Sequence, residues 1–226
     1  MKKFRIFSLG TNALTIEFGN TIDINLNCRA ANLSAYLEHN QFDGFIEAVP
    51  AYASVTVFYD FYIVKKNFGT DKTAFDTVKN FVENALGNLV ETAENKSRLI
   101  EIPVSFDEQD APDLRFVAEI NNLTKDEVIK IFTAQNYRVF MLGFLPGFGY
   151  MGEIDKRIAA PRKESPRLRV AQGSVGIAGT QTGVYPLESP GGWQIIGRTN
   201  RKIFDINNVS NQLQVGDTVK FYEHSH

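Results

Sequence analysis

An α+β fold in two parts is what this sequence predicts, with a small domain over residues 1–104 and a β-barrel domain over residues 105–226. Three observations carry that reading. The first hundred residues alternate between short β-rich runs and helical periodicity. Downstream, short apolar runs separated by turn residues outnumber the helical segments, the pattern of a closed or partly closed barrel with two helices. Most of the glycines and prolines fall between residues 143 and 199, interleaved with arginines and aromatics.

In chain order, Phe4–Phe7 and Ala13–Phe18 are apolar runs, and the second stops at Gly19-Asn20, a turn signal, so it reads as a strand. Ile24, Leu26, Ala30, Leu33 and Leu37 follow at helical spacing, with Asp23 as the N-cap. Phe45–Val49 and Ser54–Tyr59 are β-rich and joined by Pro50-Ala51-Tyr52-Ala53, a hairpin-type connection. A second helix starts near Thr70 or Asp71, runs through Phe75, Val78, Phe81, Val82 and Leu86, and meets Gly87 where a helix ends. Arg98–Val104 closes the series as a strand, with Pro103 tolerable on an edge. The order is βαββαβ, a split βαβ arrangement.

In the second part, Pro112 opens a helix whose inner face is Leu114, Val117, Ala118 and Ile120. Thr124-Lys125-Asp126-Glu127 is a capping box before Val128, Ile129, Ile131 and Phe132. Tyr137–Phe144, Gly173–Ala178, Trp193–Thr199, Lys202–Phe204 and Thr218–Tyr222 read as strands, with Val215-Gly216-Asp217 a turn before the last.

Composition narrows the function. The formal net charge is -2 and the pI about 6.0, which gives no reason to expect nucleic acid or an anionic membrane as partner. Cys28 is the single cysteine, which rules out an internal disulfide and a cysteine-based zinc site, and it reads as a buried small hydrophobe. No apolar run approaches the length of a membrane span and no signal peptide is visible, so a cytoplasmic protein is expected. His224 and His226 fall in a terminus expected to fray, and no metal site is expected. There is no GxxxxGK[ST], no GxGxxG in a strand-to-helix setting, no GxSxG elbow, and no histidine near Ser174 or Ser189 to serve as base.

What the 143–199 stretch offers instead is recognition. Arg162, Arg167, Arg169 and Arg198 carry guanidinium forks that match carboxylates or phosphates, or else pair with Glu153, Asp155 and Glu164 on a solvated loop. Gly179, Gln181 and Thr182 either offer amide and hydroxyl groups to a small polar ligand or form a tight polar turn that needs no ligand. Phe148, Tyr150 and Tyr185 either wall a pocket or, as expected of Trp193, fill the core, and Pro146 and Gly147 belong to a loop expected to shape the site.

The run Phe140-Met141-Leu142-Gly143-Phe144-Leu145-Pro146-Gly147-Phe148 resembles a signature of the B-type 5-oxoprolinase family, also called KipI-like or allophanate hydrolase subunit 1. Matches continue at Ala160-Pro161-Arg162, Pro166-Arg167, Arg169-Val170, Gly173-Ser174-Val175, Ile177-Ala178-Gly179, Gln181-Thr182-Gly183, Tyr185-Pro186-Leu187, Ser189-Pro190-Gly191-Gly192-Trp193 and Ile196-Gly197-Arg198-Thr199. In the first domain, Gly10, Glu17-Phe18-Gly19 and Val49-Pro50-Ala51-Tyr52 also look like the family. The chain departs from it at Phe106-Asp107-Glu108-Gln109, which replaces a glycine-rich segment. Ala111-Pro112-Asp113-Leu114 stands where the family has Gly-Pro-Asp-Leu.

The resemblance implies that the barrel is cyclophilin-like. It also implies a non-autonomous component of an ATP-dependent 5-oxoprolinase, which opens 5-oxoproline to glutamate. Its partners would be a KipA-like (C-type) subunit and an amidohydrolase-like (A-type) subunit. An alternative in the same family is a protein inhibitor of a sensor histidine kinase, and a third is action on allophanate. The missing base, nucleophile and phosphate loop agree with a chain that supplies part of a site.

Overall fold

The computed structural model describes residues 4–69, 72–89, 97–207 and 212–224. They divide into two compact units, Met1–Lys96 and Ser97–His226.

The first unit is one antiparallel sheet of β1 (Arg5–Ser8), β2 (Ala13–Glu17), β3 (Phe45–Pro50) and β4 (Ser54–Tyr59), in the order β1-β2-β4-β3. Helices α1 (Ile24–His39), α2 (Phe61–Phe68) and α3 (Ala74–Asn88) accompany it. Period-2 alternation turns Leu14 and Ile16 of β2 and Val55, Val57 and Tyr59 of β4 inward, where they share a core with Ala30, Leu33 and Leu37 of α1 and Val78 and Val82 of α3. Full burial of each large aliphatic side chain stabilises by roughly 1.5–3 kcal/mol. Each helix has a side-chain cap. Asp23 accepts from Leu26 N at 2.9 Å, Asp60 from Ile63 N at 3.0 Å and Thr73 from Asp76 N at 3.0 Å.

This unit differs from the expected βαββαβ order. Both N-terminal apolar runs are strands, and α2 is an addition: Phe61-Tyr62-Ile63-Val64 is rich in β-formers, which the Asp60 cap overrides. The helix start expected at Thr70 or Asp71 lies outside the described residues, and the observed cap is Thr73. Helix α3 passes through Gly87 and ends at Asn88. Cys28 is half-buried on α1 and stands outside the core.

The strand over Arg98–Val104 is corrected most plainly. As β5 (Leu99–Val104) it belongs to the second unit, parallel to β13 (Thr218–Glu223). Periodicity marks a strand but carries no information about its partner. The seven-stranded sheet adds β6 (Asn136–Leu142), β7 (Gly149–Gly152), β9 (Ser174–Ala178), β10 (Gln181–Val184) and β12 (Gln194–Arg198), in the order β12-β9-β10-β7-β6-β13-β5. Its two ends meet. Ser105 N donates to Arg198 O at 2.8 Å and Arg198 N to Ser105 O at 2.9 Å, which leaves a nearly closed barrel. A second sheet pairs β8 (Arg167–Val170) with β11 (Ser189–Gly191).

Val139, Met151, Val175, Ile177, Val184, Ile196 and Val219 are in the barrel core, together with Val117 of α4 (Leu114–Ile120) and Phe132 of α5 (Lys125–Ala134). Phe132 stacks on Phe221 at 5.0 Å and its carbonyl accepts from the Tyr137 hydroxyl at 2.7 Å. The capping box of α5 is formed as expected. Pro112 precedes the N-cap, Asp113, instead of opening α4. Lys202–Phe204 is not a strand, since buried Ile203 anchors an irregular segment there. His224 is held in place by its backbone N, which donates to Val104 O at 2.9 Å, while His226 lies outside the described residues. Among the described residues no helix is long and apolar enough to cross a membrane.

Candidate functional site

The loop between β6 and β7 is built by backbone chemistry. Leu145-Pro146-Gly147-Phe148 is a tight turn in which Phe148 N donates to Leu145 O at 3.0 Å. Proline suits its second position, and Gly147 takes φ 81° at the third, where a Cβ would stand 2.7 Å from Phe204 Cβ. The turn drives Phe148 into an aromatic cluster, edge-on to Tyr150 at 4.8 Å and to Tyr185 and Trp193 at 5.4 Å each. Phe148, Tyr185 and Trp193 are buried and Tyr150 is half-buried. Core is therefore the role of three of the four rings, and Tyr150 with exposed Pro146 forms the edge. Burial pushes the Tyr185 phenol above its ordinary range, against the Trp193 backbone and the charges of Arg162 and Arg167, which pull it down.

Beside this cluster stands a carboxylate that is absent from the candidates drawn from sequence. Asp113 is 5% exposed and lies against β12, with its N donating to Ile195 O at 2.9 Å and its Oδ2 accepting from Ile195 N at 2.7 Å. Its Oδ1 accepts from Arg167 Nη2 at 2.7 Å and from Lys163 Nζ at 3.4 Å. Burial pushes the Asp113 carboxyl up, but the hydrogen bonds from Arg167 and the Ile195 amide outweigh it. With the charges of Arg167 and Lys163 they hold it below the usual carboxylate range.

Arg162 is exposed, with its guanidinium 6.0 Å from the Trp193 ring centroid, and Lys163 N donates to Gly192 O at 2.8 Å. Two buried atoms are without a hydrogen-bond partner among the described residues, Arg167 Nη1 and Gln194 Oε1. The Gln194 amide is oriented by its Nε2, which donates to Pro161 O at 2.9 Å. Lys163 and Arg167 thus converge on one buried carboxylate, with Arg162 beside the Trp193 ring, so positive charge exceeds negative there.

The remaining candidates make other contacts. Thr182 is fully buried and its hydroxyl donates to Gly176 O at 2.9 Å, a bond internal to the barrel. Gly179, at φ 60°, turns the chain between β9 and β10 and donates its N–H to Ala160 O at 2.7 Å, and Gln181 starts β10 half-buried. Arg169 pairs on the surface with Glu188 at 2.8 Å. Arg198 closes the barrel with its backbone, while its Nε donates to Gln172 O at 3.1 Å and its Nη1 lies 3.9 Å from Asp110. The partners foreseen for the arginines, Glu153, Asp155 and Glu164, are not the ones they take; Asp155 pairs with Arg157.

Asp113, Lys163 and Gln194 are the site residues that sequence reasoning missed. Asp113 did carry a signal, since it sits in the Pro-Asp-Leu run shared with the family signature. Among the described residues no three His, Cys, Asp or Glu side chains converge as metal ligands.

Residues 4–213 match the family described as the carboxyltransferase domain, subdomain C and D. A curated relative from Bacillus subtilis, the B subunit of 5-oxoprolinase, is 47% identical over 97% of this chain and 92% of its own length. The Escherichia coli O157:H7 protein of the same name is 34% identical over 98% of this chain and 96% of its own length. The solved structure of TTHA0988 superposes with a TM-score of 0.80 at 31% identity over 95% of this chain, which spans 40% of that longer chain.

Proposed function

This chain belongs to the family of the carboxyltransferase domain, subdomain C and D, and from that premise we propose that it is the B-type subunit of an ATP-dependent 5-oxoprolinase. Two relatives of that name match it nearly end to end. The observation in the molecule that carries the reading is the pairing of Lys163 and Arg167 with the single carboxylate of Asp113, with Arg162 beside the neighbouring Trp193 ring. Its surplus positive charge suits the carboxylate of 5-oxoproline.

In this reading the chain binds and orients, and it works beside a KipA-like C-type partner and an amidohydrolase-like A-type partner in a cytoplasmic complex. The barrel is taken as the cyclophilin-like domain of the family. ATP supplies the energy for ring opening. The residues present fit one anionic group and not a whole nucleotide, because the chain has no glycine-rich phosphate loop. The isolated chain is accordingly expected to be inactive.

The test is reconstitution with candidate A-type and C-type partners, following ATP hydrolysis that depends on 5-oxo-L-proline. Activity is expected only with all three chains. An inactive mixture beside an active assembly from another organism overturns the proposal, and direct capture of a histidine kinase without effect on turnover would favour the inhibitor reading instead.

A further inference from the structure

We infer a second binding site, wholly within the first unit, for a small zwitterion of the α-amino-acid class. The family-like residues of this unit are not used by the barrel site. Glu17, Gly19, Ala51 and Tyr52 among them line one cavity of about 540 Å³, within the roughly 300–1,000 Å³ usual for small-molecule sites.

Its wall is fixed before any ligand arrives. Phe18 N donates to Ala53 O at 2.8 Å and Ala51 N to Ser54 O at 2.8 Å. Asn27 is fully buried on α1 and donates its Nδ2 to Ala51 O at 3.2 Å, so the 51–53 turn is held from beneath. A preformed wall spares a ligand the entropy of ordering it.

Among the described residues, Arg5 and Glu17 are the two charged side chains lining the cavity, and they face each other across β1 and β2 with Nη2 and Oε1 2.7 Å apart. A singly charged ligand that separated them would leave one without a counter-charge. A zwitterion matches both, with its carboxylate on the Arg5 fork and its ammonium on Glu17. Thr15, Tyr52 and Ser54 add polar groups to the lining, and Phe7 covers a carbon chain.

The site rests on the proposed reaction only for the choice of probes. L-Glutamate, the product, carries an ammonium, whereas the nitrogen of 5-oxo-L-proline is an uncharged amide. Titrating the whole chain with L-glutamate while following backbone amide resonances should give saturable shifts at Arg5, Glu17, Gly19–Ile22 and Ala51–Ser54. Weak or absent shifts are expected there with 5-oxo-L-proline. Glu17→Gln and Arg5→Gln should each weaken binding by about tenfold, the scale of a lost charge-assisted bond. Absence of saturable shifts, shifts confined to the barrel, equal response to both probes, or unchanged affinity in a folded variant overturns the inference. None of these readouts requires an active complex, so failure here and failure of the 5-oxoprolinase reading are distinguishable.

Discussion

Replacing Asp113 with alanine tests whether this carboxylate organises the barrel site. The substitution removes the acceptor of Ile195 N and the carboxylate partner of Arg167 and Lys163. Asp113 occupies the N-cap of α4 but makes no side-chain capping bond, so loss of a cap is not part of the effect. An orphaned buried N–H costs about 1–3 kcal/mol. Breaking a buried ion pair by removing one partner costs roughly 3–5 kcal/mol. The second figure is reduced because the Arg167 and Lys163 side chains are 27% and 31% exposed and recover solvation.

A net loss of about 3 kcal/mol results, which at a urea m-value near 2 kcal/mol/M lowers the midpoint by about 1.5 M. Trp193 is the single tryptophan and lies in the second unit, so its fluorescence reports on that unit without interference from the first. Asp113→Asn keeps one oxygen and should lose roughly half as much. A loss below about 1 kcal/mol in the alanine variant, with the m-value unchanged, would refute the argument.

Acid should weaken the same attachment. The folded-state pKa of Asp113 lies below its unfolded value, so its stabilisation is complete above the ordinary aspartate value near 3.9 and is lost as pH falls through the folded value. Urea midpoints measured against pH should therefore show a shallower acid limb in Asp113→Asn. Gly197→Ala places a Cβ 2.5 Å from Val104 Cγ1 and 3.0 Å from Ser105 O, at the barrel closure. Overpacking there should cost about 1–3 kcal/mol, and a thermal scan showing no loss would argue that the seam yields freely. In a reconstituted enzyme, Arg167→Ala should lower kcat/KM for 5-oxoproline by about tenfold or more while the chain still assembles. An unchanged ratio would remove Arg167 from the site. Thr182→Val should lower stability by about 1 kcal/mol through the lost bond to Gly176 O. It should leave kcat/KM unaltered, because that hydroxyl is engaged inside the barrel.

Local signals in the sequence are legible where local chemistry decides the structure. Asp23 and the Thr124–Glu127 box cap their helices, and the Pro50–Ala53 connection makes a hairpin. Pairing is not legible. The strand Leu99–Val104 reads as the end of the first domain because nothing in its own residues points to Thr218–Glu223. Helix α2 is hidden by β-forming residues. Strands β7, β8, β10 and β11 are short and contain glycine or proline or flank such residues, so the stretch reads as loop. Within the site, the arginines are visible as types, but the buried carboxylate that sorts them is not. Asp113 lies far upstream of Lys163 and Arg167, separated from them by 50 and 54 positions. Only the fold brings it beside them.

The parallel pairing of β5 with β13 also sets the order in which the barrel is completed. Arg98 joins Asp217 through Nε at 2.8 Å and Nη2 at 2.6 Å, across 119 positions of chain. On a ribosome, β5 emerges early and waits for nearly the whole of the second unit before its neighbour is synthesised. Until then β5 and β6 both lack the strand that will lie between them, and their free backbone groups are open to other chains. Closing so long a loop is entropically costly and depends on β13, made long after β5. Nascent chains halted before Thr218 should therefore depend on chaperones far more than the finished protein does.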